Sequence, residues 1–315
     1  MPVRDEARAL ESSVRAVLES GYPGEVEVVI AVGPSQDGTE AIAAALAQDP
    51  RVSVVDNPSG RTPQALNRAI AASSHDVVVR MDGHALMPVG YLTLAVNALR
   101  STGAGNVGGR MVPTATEPFA RAVAVAMSSR VGLGGAGHRQ GGVAGPADSV
   151  YLGSFRRAAL DAVGGYDEHF SRAQDWELNR RLREAGIEVW FVPQMAVPYT
   201  PRATWRALAR QFFTSGQWRR EVVRRHPATR SARYLAAPVA TLAVAISLIS
   251  GIVLAAAGSP WTPLALLPAG AYLVGVLVAS ALLLPRTGVA AGLRMPVVLP
   301  TMHMAWGLGF LRGVR

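Results

Sequence analysis

Cysteine is absent from the 315 residues, and so is lysine. Without cysteine the chain has no disulfide, no thiolate metal ligand and no thiol nucleophile. Without lysine all 31 basic side chains are arginines, set against 22 acidic ones, so guanidinium groups alone carry the net charge of +9. Such use of arginine, with abundant Ala and Gly, suggests a GC-rich bacterial genome. Charged residues are scarce at 17% and hydrophobic ones reach 50%, a more apolar balance than a soluble protein usually has. The scarcity is uneven. Up to about Thr229 charged and apolar residues mix, whereas from Tyr234 onward the charged side chains are Arg286, Arg294, Arg312 and Arg315. This break predicts a globular domain over 1–229 and a membrane module over 234–315. No signal-peptide pattern stands ahead of the mixed region, so that domain is expected in the cytoplasm.

The segment 235–257 is an uncharged apolar run close to the ~20 residues that cross a ~30 Å hydrocarbon core. A second such run covers 264–284, after a short uncharged connection. Arginines flank the outer ends, which predicts a hairpin with both ends on the cytoplasmic face of a bacterial inner membrane. The segment 296–311 is shorter and interrupted by Pro300 and His303. It reads as interfacial or re-entrant, with a third crossing as the alternative. Ahead of the hairpin, 204–225 reads as a long basic helix carrying Trp205, Phe212, Phe213 and Trp218. Arginines crowd between Arg202 and Arg233, beside the apolar tail, which favours membrane lipid over nucleic acid as their partner.

In the globular part, Leu10, Val14, Val17 and Leu18 mark one face of a first helix. Val26 to Val32, Arg51 to Val55 and Asp76 to Met81 read as strands, alternating with helices over Thr39 to Ala47 and Pro63 to Ala72. The alternation predicts an α/β domain with a doubly wound, mostly parallel sheet. Ligands of such sheets sit beyond the carboxyl ends of the strands, here at Gly33 to Gly38, Asp56 to Arg61 and Asp82 to His84. The Gly-dense stretch 132–145 reads as a loop, Asp175 to Ala185 as an amphipathic helix and Val189 to Val192 as a strand.

A hard divalent cation at a strand end takes carboxylate ligands. Asp82 in Arg80-Met81-Asp82-Gly83-His84 has that position, although an Asp-Gly after a strand also makes an ordinary turn. The order of Pro2-Val3-Arg4-Asp5-Glu6, Asp37-Gly38-Thr39, Asn57 to Pro63, Leu66-Asn67, Asp82-Gly83-His84, Gly108-Gly109, Gly164 to Asp167 and Gln174 to Leu178 resembles family 2 glycosyltransferases. The branch it is most similar to holds the succinoglycan-type glucosyltransferases of exopolysaccharide synthesis. The resemblance runs from Met1 to about His226 and implies a GT-A fold, a nucleotide-sugar donor and an inverting displacement onto a lipid-linked or glycan acceptor.

By that resemblance Asp175 is the general base, the alternative being a helix N-cap, and Glu177 supports it or is a first-turn Glu placed by the helix dipole. Pro2, Glu6, Arg61, Asn67, Arg80 and Asp82 line the nucleotide-sugar, though Asn67 has backbone bonding as its alternative. Asp82, helped by His84, holds a Mg or Mn ion; the alternative makes His84 an ordinary loop residue. Tyr151, Gly153, Gln174, Trp176, Gln217 and Trp218 fall on the acceptor side, and the helix-spaced aromatics equally suit simple packing.

Three departures stand out. Val32-Gly33 replaces the family's Asp pair after the second strand, so the base of the donor is open. Arg80 replaces the first Asp of the usual Asp-x-Asp and is able to take over phosphate charge. Relatives also run a hydrophobic strand into the proline matching Pro2, and here nothing precedes Met1. A missing first strand, supplied by an upstream start, is therefore expected. A polyprenyl-phosphate sugar synthase and a non-catalytic nucleotide-binding scaffold remain as rival functions.

Overall fold

A computed structural model describes residues 1–133, 142–229 and 231–314. In chain order the elements are β1 (Pro2–Val3), α1 (Leu10–Leu18), β2 (Val28–Val32), α2 (Thr39–Leu46), β3 (Val52–Asp56), α3 (Thr62–Ala72), β4 (Val77–Val79), α4 (Tyr91–Thr102) and β5 (Asn106–Pro113). There follow α5 (Pro118–Met127), α6 (Arg130–Leu133), β6 (Gly145–Pro146), β7 (Tyr151–Arg156), α7 (Arg157–Val163), α8 (Gln174–Glu184), β8 (Val189–Tyr199) and α9 (Trp205–Arg225). The last four are α10 (Ala232–Ala256), α11 (Thr262–Thr287), α12 (Val289–Gly292) and α13 (Met295–Arg312). Between α6 and β6, most of the glycine-rich stretch expected to be a loop lies outside the described residues.

Packing divides the chain into two units, Met1–Val112 with Gly137–Tyr199 and Pro113–Ala136 with Thr200–Arg315. The first is the expected α/β domain. One sheet runs β1-β2-β3, all parallel, and the other runs β4-β7-β5-β8-β6. In the second sheet β7 is antiparallel to both β4 and β5, and β6 is antiparallel to β8, so the parallel pattern ends with β3. β1 is a two-residue strand, with Pro2 beside Ala31 and Val3 beside Val32. The amino group of Met1 donates to Val29 O at 2.8 Å, and burial lowers its pKa to about 5. Ile30, Leu10, Leu99, Leu152 and Met195 are fully buried around the sheets. At Gly109 an added Cβ would lie 1.6 Å from Met195 O, so the approach of β5 to β8 admits glycine alone.

The second unit combines the basic helix with the apolar tail. Among the described residues two helices are long and apolar enough to cross a bilayer: 23 residues, Tyr234–Ala256, and 26 residues, Thr262–Thr287. Ile246, Ile249, Ile252, Val274 and Leu282 are more than half exposed, a surface that suits hydrocarbon rather than water. The pair packs together, with Ser247 Oγ donating to Ala265 O. The segment expected to be interfacial or re-entrant forms one continuous helix, α13, through Pro300. It packs closely along α9: an added Cβ at Gly216 would meet Trp306 O, and one at Gly309 would meet Phe213 O, at 2.1 and 1.9 Å. His303 ties α13 to its neighbours, Nε2 lying 2.8 Å from Val131 O and Nδ1 3.0 Å from Tyr272 OH.

Candidate active site

The loops after β1, β2 and β3 converge at one end of their sheet, as parallel strands dictate, and the loop after β4 meets them there. Asp5 N–H donates to Ser35 Oγ, Glu6 N–H to Thr39 Oγ1 and Ala7 N–H to Asp37 Oδ2. These bonds fasten the loop after β1 to the loop after β2. Glu6 Oε1 lies 2.7 Å from His84 Nδ1, which joins the loop after β4 to the same group. Gly83 lets that loop come close, because an added Cβ would sit 2.7 Å from Val3 Cγ1.

Arg80 is the hub of the site. Its backbone N–H donates to Gly153 O at 3.0 Å, which anchors the end of β4 to β7. Its side chain is only 7% exposed. The guanidinium grips Asp82 Oδ1 with Nε at 3.2 Å and Nη2 at 2.9 Å, and donates through Nη1 to Asp175 Oδ1. Burial raises the carboxyl of Asp82, but the positive charge and hydrogen bonds of Arg80 outweigh it and leave the group below its ordinary range. For Asp175 burial wins over Arg80, and its pKa stands above the usual value. One guanidinium thus serves two carboxylates with opposite outcomes.

Asp175 occupies the first turn of α8, and the cap position belongs to Ala173, whose φ of 61° is left-handed. Asp175 is therefore not the N-cap, and its carboxylate faces Arg80 and, at 3.4 Å, Tyr166 OH. Tyr166 is buried, which raises its phenol, and Asp175 raises it further. It was overlooked as a site residue, though Gly164-Gly165-Tyr166-Asp167 marked its place.

Asn67 clamps the backbone of Tyr166: Oδ1 accepts its N–H at 2.8 Å and Nδ2 donates to its carbonyl at 2.9 Å. Glu177 is buried and forks onto Arg181 with two contacts of 2.7 Å, and Arg181 donates to Val163 O and Gly165 O on the same loop. Arg61 donates to Ser171 Oγ and His169 O.

Of the acceptor-side residues, Tyr151 is half-buried on β7, and burial followed by the charge of Asp82 raises its phenol. Gly153 is enclosed by Phe155 and Asn106. Gln174 is buried and Trp176 partly so. Gln217 and Trp218 lie on α9 in the other unit, where Gln217 Nε2 donates to Gly313 O at 2.8 Å.

A buried Arg-carboxylate pair, strand-end loops that converge on it and a second carboxylate in a helix's first turn fit group transfer from a phosphorylated donor. Residues 1–164 match the family model described as glycosyl transferase family 2. The chain belongs to glycosyl transferase family 2. It is 35% identical to the succinoglycan biosynthesis protein ExoA of Rhizobium meliloti (strain 1021), over 99% of this chain and 93% of that one. Among solved structures it is similar to the mannosyltransferase PcManGT from Pyrobaculum calidifontis in complex with GDP-Man and Mn²⁺. That likeness has a TM-score of 0.60 at 20% identity and covers 99% of this chain and 84% of the other. It shows the fold, and the expected GT-A architecture of this glycosyltransferase is borne out.

Among the described residues no three of His, Asp and Glu gather into a ready-made metal site. The donor set still suits a cation carried by a diphosphate. Arg80 takes Asp82 Oδ1, and Oδ2 is left to act as the one carboxylate ligand that such an ion needs.

Proposed function

We propose that this family 2 glycosyltransferase is inverting and moves a sugar from a nucleotide-sugar donor to a lipid-linked or polysaccharide acceptor. The name of the 35% identical relative supports a place in exopolysaccharide synthesis. The two long apolar helices and the arginines flanking them support the bacterial inner membrane, with the catalytic unit on the cytoplasmic face.

The observation that carries this reading is the carboxylate of Asp175, half-buried, raised in pKa and held between Arg80 and Tyr166. A carboxylate with a raised pKa is a better proton acceptor near neutrality. Asp175 takes the proton of the acceptor hydroxyl while the acceptor oxygen bonds to the anomeric carbon. The bond from that carbon to the diphosphate breaks, its electron pair leaves on the diphosphate, and attack from the opposite face inverts the centre. Two carboxylates against one guanidinium leave the cluster with a net negative charge. Asp82, with His84 assisting, would hold a divalent ion, which would supply the charge neutralisation that the departing diphosphate needs. Pro2, Glu6 and Arg61 then border the nucleotide.

Nucleoside diphosphate release by the full-length protein in membranes tests the reading. Asp175→Asn keeps donor binding and lowers kcat by ~10²–10⁴, the usual worth of a general base. A loss below about tenfold removes the base and favours a lipid phosphate acceptor, which needs none.

A further inference from the structure

One turn beyond Asp175, α8 carries a second polar side chain, and this one points into the core. Asn179 lies four residues on, so it shares the face of α8 that bears Asp175, ~6 Å along the axis. Beside it Leu178 and Leu182 are buried in a cluster with Val150, Phe155, Val189 and Phe191. Asn179 and Asn106 of β5 are both buried. Asn106 Nδ2 donates to Asn179 Oδ1 at 2.6 Å, and Asn179 Nδ2 donates to Ser149 Oγ, just ahead of β7, at 3.0 Å. Asn106 also lies against β7, since an added Cβ at Gly153 would be 2.7 Å from its Oδ1. Gly153 O in turn accepts the N–H of Arg80, whose guanidinium holds Asp175. The contacts close a ring from Asp175 through Arg80, Gly153, Asn106 and Asn179 back along α8. Its strand side is fixed from elsewhere: Leu152 has a left-handed φ of 46°, and its carbonyl accepts from the buried Tyr91 OH at 3.0 Å.

Stability does not account for this amide pair. Two apolar side chains of the same shape do as well in a core, or better, because a buried amide only replaces the bonds it made to water. Asn106 Oδ1 is buried with no hydrogen-bond partner among the described residues, which adds a further cost. What the amides supply is direction. A hydrogen bond between two side chains tolerates little sliding, and a buried asparagine fixes the register of packed helices at a cost in stability. We propose that Asn106 and Asn179 are positioning residues for the transfer step. Their pair sets how far α8 lies along β5 and β7, and so holds the Asp175 carboxylate where it meets the acceptor hydroxyl. This rests on the reading of Asp175 as the base. Neither asparagine touches the reacting atoms or the loops after β1, β2 and β3, so their effect falls on kcat and spares donor binding. A misplacement of ~1 Å at a catalytic group costs on the order of 10²-fold.

The test separates stability from turnover in the full-length protein. Asn106→Leu and Asn179→Leu are made singly and together, with melting and donor Kd read in detergent. Turnover is nucleoside diphosphate release in native membranes from UDP-glucose or GDP-mannose, whichever the wild type uses. Each single change strands one buried amide and should lower the melting temperature. The double change removes both amides and should melt within about 2 °C of the wild type. Its kcat should still fall at least tenfold, with donor Kd within twofold. A double variant with kcat within twofold of the wild type overturns the proposal. Should the double variant fail to fold, Asn179→Asp and Asn179→Ala decide. The carboxylate accepts from Asn106 and from a turned Ser149 hydroxyl, so kcat per donor-binding molecule should stay within threefold of the wild type. The alanine form should lose at least tenfold, and equal turnover in the two overturns the proposal. Asp175→Asn run alongside separates the two readings. A loss of tenfold or more there, with full turnover in the double leucine form, strikes the positioning role alone; a smaller loss strikes the base and the positioning role with it.

Discussion

Replacing Arg80 with methionine tests the central electrostatic claim. The change keeps much of the apolar stem and removes the guanidinium, leaving Asp82 and Asp175 facing each other without their shared cation. Breaking a buried ion pair from one side costs ~3–5 kcal/mol. The side chains of Asp82 and Asp175 are 22% and 33% exposed, so water relieves part of the charge and the lower end applies, about 3 kcal/mol. At ~2–4 °C per kcal/mol for a unit of this size, melting should fall by ~6–12 °C at pH 7.5. The sign of the pH dependence follows from the same groups. In the wild type Arg80 holds Asp82 low, and the stability this gives is present above the ordinary aspartate pKa and lost as pH falls through the lowered one. In the variant burial acts on both carboxyls without its main opponent, leaving His84 and the Met1 amino group near Asp82 and the Tyr166 hydroxyl at Asp175, so both folded pKa values should rise above the unfolded one. Protonation then relieves the variant as pH falls, and its deficit should narrow between pH 7.5 and pH 5. Thermal melts of full-length protein in detergent across that range measure it. A deficit under 2 °C at pH 7.5, or one that stays constant down to pH 5, refutes the account of Arg80 as a shared counter-ion.

Asp82→Ala should weaken donor binding in the presence of Mn²⁺ by at least tenfold and leave metal-free binding little changed; equal titrations with and without the ion would exclude Asp82 as the ligand. Asn67→Ala removes two hydrogen bonds to the Tyr166 backbone, at ~1–3 kcal/mol for groups left unsatisfied. It should lower the melting temperature and kcat with donor Kd within twofold, whereas a large rise in Kd would return Asn67 to the nucleotide. Removing residues 235–315 takes away both long apolar helices and α13. Because that cut strips α13 from the face of α9 that it packs against at Phe213 and Gly216, the fragment should aggregate. A monodisperse, detergent-free fragment in gel filtration would contradict this.

Much of the molecule was legible in the sequence because local patterns dictated it. Valine runs and alanine-rich amphipathic stretches marked β2, β3, α2 and α3 to within a few residues. The scarcity of charge from Tyr234 onward marked two helices long and apolar enough to cross ~30 Å of hydrocarbon, since length and composition alone decide that fitness. The motif order marked the family. Distance along the chain hid the rest. Arg80 and Asp175 lie 95 residues apart, and their contact depends on β7 anchoring β4 while α8 turns its first turn inward. Asn67 reaches Tyr166 from 99 residues away, so its amide is spent on the loop that carries the phenol. Composition put the domain break at 229–234, but packing put α9 and Pro113–Ala136 with the tail. Glycines at 216 and 309 let two helix backbones meet there, and no single-helix pattern reports which helix a glycine will face. Sequence periodicity shows which face of an element is apolar; only the tertiary structure decides what that face is buried against.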